Sequence, residues 1–154
     1  MASSAQGNSQ VSADDLDLLL NWSCPRLEDW CANLAIKLAI PVEEVKQRLH
    51  QLRIFWVVVA TCELKKGDRY GDWKLGYPIP YGPPRLLEKV WRAMVEDQDE
   101  WDFFCKAVRF PGFLRAFKVP HYPPGRYITA SKARALVAKA YELGLEPDEK
   151  FWKQ

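Results

Sequence analysis

The chain has 154 residues, with 22 Lys and Arg against 20 Asp and Glu, a hydrophobic share of 48% and seven Trp. That length and apolar share are enough to bury a core in one compact domain or two small ones, and they exclude a chain disordered throughout. The longest apolar uncharged run, 54–62, has nine residues, far below the roughly 20 that a membrane-spanning helix needs.

Residues 1–11 are uncharged and mostly small or polar. They read as a disordered tail, without the basic start and apolar stretch of a secretory signal. The side chain of Ser12 is placed to cap a first helix with Asp14 and Asp15 in its opening turn and Leu16, Leu19 and Leu20 as its stripe. Pro25 or Arg26 starts a second helix, in which Leu27, Trp30, Cys31, Leu34, Ala35 and Leu38 recur at three- and four-residue spacing to about Ala39. Pro41 opens a third, with Val42, Val45, Leu49 and Leu52 as one buried face.

The period then changes. Residues 55–62 are rich in β-branched and aromatic side chains, 65–72 form a polar turn with two glycines, and 73–79 supply a returning strand. Pro78, Pro80, Pro83 and Pro84 make 76–84 an extended connector and the best domain boundary. Beyond it, Leu86, Leu87, Val90, Trp91, Met94 and Val95 predict a helix, and Asp97 or Asp99 caps the next, which carries Trp101, Phe104, Cys105 and Val108. After a proline-rich loop around Pro120, Pro123 and Pro124, Thr129 or Ser131 caps a last helix. Ala133, Leu136, Ala140 and Leu143 face inward on it, and Gly144 provides a left-handed stop.

Helices two and three, read as Leu34-Ala35-x-x-Leu38-Ala39-Ile40-Pro41-x-x-x-Val45-x-x-x-Leu49-x-x-Leu52 and followed by a β-rich hairpin with a basic tip, resemble the helix-turn-helix of winged-helix proteins. The likeness covers about residues 12–80. Trp30 with Leu34-Ala35 and Val45-Lys46-x-Arg48 also resembles a Myb/SANT three-helix domain, a family without the hairpin. The winged form implies a mainly α fold with a small β-hairpin, a winged helix-turn-helix-like domain over 12–80 and a basic helical region over 84–154, packed on the first or independent of it. It also implies a third helix that offers Glu43, Glu44, Gln47, Arg48, His50 and Gln51 to a DNA groove, and a wing whose Lys65, Lys66 and Arg69 touch phosphate.

Charge carries the functional reading. Residues 1–64 hold five Lys and Arg against eight Asp and Glu, whereas 65–154 hold seventeen against twelve. No acidic residue stands between Asp102 and Glu142, yet Lys106, Arg109, Arg115, Lys118, Arg126, Lys132, Arg134 and Lys139 do, among eight Phe and Tyr rings. Such a segment is suited to an anionic partner. The expectation is a non-catalytic nucleic-acid-binding protein, with DNA favoured over RNA, that makes phosphate contacts through the wing and the basic second half. The alternative is an adaptor subunit of a larger assembly that uses the acidic third helix as a protein-docking face, with an acidic protein partner for the basic tract.

Catalytic apparatus is not visible. The two histidines, His50 and His121, stand in no zinc-binding spacing, and there is no phosphate loop and no nucleophile elbow. The cluster Glu96, Asp97, Asp99, Glu100 and Asp102 reads as a solvated helix start before it reads as a Mg²⁺ site. Asp72-x-Lys74 resembles the carboxylate-x-lysine of metal-dependent nucleases but lacks a partner acid. No cofactor and no metal are expected. Cys24, Cys31, Cys62 and Cys105 form no C-x-x-C pair, which fits a reduced, intracellular protein of cytoplasm and nucleoid, or of a nucleus.

Overall fold

The computed structural model describes residues 12–65, 84–110 and 130–153; within the helices, the side chains of 62–65 and 130–132 fall outside that description. Its first helix, α1 (Ala13–Asn21), begins where Ser12 predicts, the hydroxyl accepting from the Asp15 N–H at 3.1 Å. Helix α2 (Pro25–Leu38) has Pro25 in its first turn, where a missing N–H costs nothing. It stops at Ala39, which takes the left-handed conformation at φ 58°. The Ile40 N–H then closes back on the Ala35 carbonyl, which turns the chain into α3 (Val42–Lys65) within a few residues.

Helix α3 runs 24 residues, straight through the segment expected as a strand over 55–62. The reason is tertiary. Ile54, Phe55, Trp56, Val57, Val58, Val59 and Ala60 are all buried, so the stretch 54–60 is apolar on every side and is enclosed by its neighbours. An uninterrupted apolar run fits an enclosed helix as well as an enclosed strand. The strand preference of Val and Phe spans only about 1 kcal/mol and reflects packing more than backbone. The expected mainly α fold with a small β-hairpin is therefore corrected: among the described residues every regular element is helical, and the wing's first strand is the second half of α3. The tail over 1–11, the turn and returning strand over 66–79, most of the connector and the loop over 111–129 lie outside the described residues.

Helices α4 (Arg85–Glu96), α5 (Gln98–Val108) and α6 (Ala130–Glu142) follow, and a single 3₁₀ turn, Glu149–Phe151, comes last. Helix α3 packs against α1, α2, α4 and α6, and α5 packs on α4 and α1. Trp56 stands at the centre, its ring 5.5 Å from Trp91, 6.1 Å from Trp101 and 4.8 Å from Phe110. Phe55 lies 6.0 Å from Trp152. One hydrophobic core thus takes side chains from both sides of the connector. Gly144 has φ 81°, the left-handed stop expected of it. Two apolar positions differ from expectation: Val42 and Leu143, read as inward, stay partly open to solvent at 37% and 38%.

Two polar side chains of α3 are built into this core. The Gln51 carbonyl oxygen accepts from the Asp148 N–H at 2.8 Å and from the Trp152 indole N–H at 2.9 Å, and so ties the last turn to the central helix. Arg53 donates through Nε to the Leu19 carbonyl at 2.6 Å and through Nη2 to the Leu18 carbonyl at 3.0 Å. Both carbonyls stand at the negative end of α1, where a cation is favoured; the Leu18 oxygen also accepts from the Trp22 N–H at 3.0 Å.

Candidate nucleic-acid interface

The third helix does not present the face that the sequence assigns to it. Gln47 and His50 are exposed, but Arg48 and Gln51 are buried. Arg48 is held by Glu44 one turn earlier, Nε donating to Oε2 at 2.9 Å, and Gln51 is committed to Asp148 and Trp152. Both are corrections to the outward face: the last turn covers Gln51, and Arg48 is drawn along its own helix by Glu44. Glu43 remains exposed at the helix start, where a carboxylate repels phosphate.

Lys65 is the final residue of α3, so it stands in a helix and not in a wing; its side chain is among those not described. Lys66, Arg69, Arg115, Lys118 and Arg126 lie outside the described residues, as do Asp72 and Lys74, and Lys132 is placed in α6 by its backbone only. The remaining cations of the acid-free tract fall into two groups. Arg109, in the left-handed conformation that closes α5, reaches Asp15 at 3.2 Å, and Lys139 reaches Glu142 at 3.5 Å. Lys106 on α5 and Arg134 on α6 are exposed, and neither has a carboxylate partner among the described residues.

Two members of the acidic cluster at the α4–α5 junction are held in ion pairs. Glu100 takes Arg26 in a two-point contact of 2.9 and 3.0 Å, and Glu96 takes Lys37 at 3.0 Å. Among the described residues no three His, Cys, Asp or Glu side chains come together as a metal cradle. Cys31 is no nucleophile at neutral pH, since burial pushes its thiol up to about 11.

Sequence reasoning missed the polar group around Arg53, where Lys46, Glu28 and Cys31 gather between α2 and α3. A signal was present: Arg53 is a lone cation between Leu52 and Ile54 at the edge of an apolar run, a position where a charge needs a specific partner. Comparison with known proteins returns no match to any family model, curated protein or solved structure.

Proposed function

We propose that this chain is a non-catalytic protein that holds nucleic acid by phosphate contacts alone, through cations of its latter half and without placing a helix in a groove. The observation that carries this reading is the run from Asp102 to Glu142, which has eight cations and no acid between those two residues, together with the exposure of Lys106 and Arg134 within it, unpaired among the described residues. Phosphate contacts of this kind position a polyanion without reading its sequence. The buried state of Arg48 and Gln51 supports the absence of base reading.

A salt series on duplex and single-stranded DNA tests it. Affinity should fall steeply and linearly on logarithmic axes, equally for unrelated sequences. Reversing Lys106 and Arg134 to Glu together should make that slope shallower by about 1 for each phosphate the protein no longer neutralises. Binding that is absent at low salt, or indifferent to salt, rejects the proposal.

A docking adaptor is favoured by a different observation: Ile36 is 80% exposed at the end of α2, six positions before the partly exposed Val42. An apolar side chain this open to water gains most from being covered by a partner. A defined partner bound by the native chain and released by Ile36→Asp supports this second reading; a partner bound equally by both rejects it.

A further inference from the structure

Between the first turn of α2 and the middle of α3 lies a cavity of about 140 Å³. Its depth is set by the buried Leu27, Cys31, Leu49 and Arg53, and its mouth by Ser23, Glu28, Lys46 and His50. Arg53 is 6% exposed and binds carbonyls through Nε and Nη2, whereas Nη1 has no acceptor among the described residues. That nitrogen is not among the sealed, unpaired polar atoms of the interior, and Arg53 lines the cavity. No Asp or Glu among the described residues pairs with this guanidinium. Burial pulls Arg53 down to about 10, which leaves it charged at neutral pH. A buried cation with free N–H groups at the lining of a recess is half of an anion site.

The mouth supplies the rest. Lys46 lies 2.8 Å from Glu28 and 3.9 Å from Glu43, which stands outside the lining, so the one carboxylate in the lining is paired and the formal charge of the lining itself is positive through Arg53. Protonation of His50 adds a second unit. The Ser23 hydroxyl is exposed at the rim, just before the N-terminus of α2, whose dipole is positive at that end. A cavity of this volume is about the size of one that admits a benzene-sized guest, so a tetrahedral anion of five heavy atoms fits. The geometry points to a binding site for a phosphate-sized oxyanion, free or as the terminal group of a phosphomonoester, held by Arg53 with Lys46, His50 and Ser23. It is separate from the cationic tract over 103–141 and does not depend on that tract binding anything.

His50 reports on the site. Burial and the Arg53 charge both lower its pKa, and Glu146 opposes them. An anion seated against Arg53 reverses that repulsion. The chain has two histidines, so proton NMR of the full chain follows both rings, and His50→Gln assigns them. At constant ionic strength, replacing chloride by inorganic phosphate should raise the His50 midpoint by about 0.5 to 1 pH unit, a 3- to 10-fold preference for the protonated ring. Glu28→Gln should tighten phosphate several-fold and Lys46→Gln should weaken it about 10-fold, because each shifts the charge at the mouth by one unit. Both side chains are well open to solvent, so neither variant threatens the fold. A glycerol 3-phosphate arm separates the sources: a response equal to or stronger than that to phosphate assigns the site to phosphomonoesters, and a response to phosphate alone assigns it to the free ion. A His50 midpoint equally placed in chloride and phosphate, or a phosphate response that both mouth variants leave unaltered, overturns the proposal.

Discussion

At the scale of single residues, the polar groups buried in the helical core have more defined work than the exposed ones. Gln51 is the acceptor for two donors, one of them the indole of Trp152, which is 2% exposed. Gln51→Leu fills similar volume but strands both donors, so urea unfolding should show a loss of about 2 kcal/mol with an unchanged m-value. His50 gives a pH dependence whose sign is fixed. Its folded pKa lies below the ordinary 6.5, so the unfolded chain binds the proton more readily. Stability is fully present above about 6.5 and is lost as the pH falls through the lower folded value. Unfolding midpoints measured across that window should slope downward toward acid in the native chain and flatten in His50→Gln.

At the scale of elements, helix ends are the readable part of this sequence, and the interior of α3 is not. Ser12, Pro25 and Gly144 act through their own backbone and nearest neighbours, so local chemistry announces them. Over 55–62, side chains that favour strands are held helical by α1, α2, α4 and α6, and no window of sequence contains those neighbours. The same blindness hides the candidate anion site, because Ser23, Lys46 and Arg53 come from separate turns of chain that meet only after α2 folds back on α3. The cationic tract is visible as composition, yet the Asp15 that answers Arg109 stands 94 positions away. Termination of α2 is locally suboptimal: Ala39 holds a left-handed conformation that costs a side-chain-bearing residue about 1 kcal/mol relative to Gly. Ala39→Gly should therefore raise stability by about 0.5 to 1 kcal/mol, read as a higher Tm. Gly144→Ala should lower it by about 1 kcal/mol through backbone strain alone, since an added Cβ meets nothing within 4 Å.

At the scale of the molecule, α3 is an axle and the tryptophans are its bearings. Trp56 touches rings of α4 and α5 together with Phe110, so the segments on either side of 66–83 have no separate interiors. Trp56→Ala should cost about 3–5 kcal/mol. Far-ultraviolet circular dichroism and tryptophan fluorescence should report coincident unfolding of the native chain, in one transition. The Gln51–Trp152 hydrogen bond joins positions 101 residues apart, and that separation has a temporal meaning. When a ribosome has joined Lys65, the last residue of the long middle helix, the indole of Trp152 that will close over that helix is still 87 codons from being made (152 − 65). At synthesis rates of about 5–20 residues per second, the bare flank waits for several seconds. During that interval the nascent chain depends on shielding by chaperones, and slowing translation downstream of codon 65 should increase the fraction that aggregates.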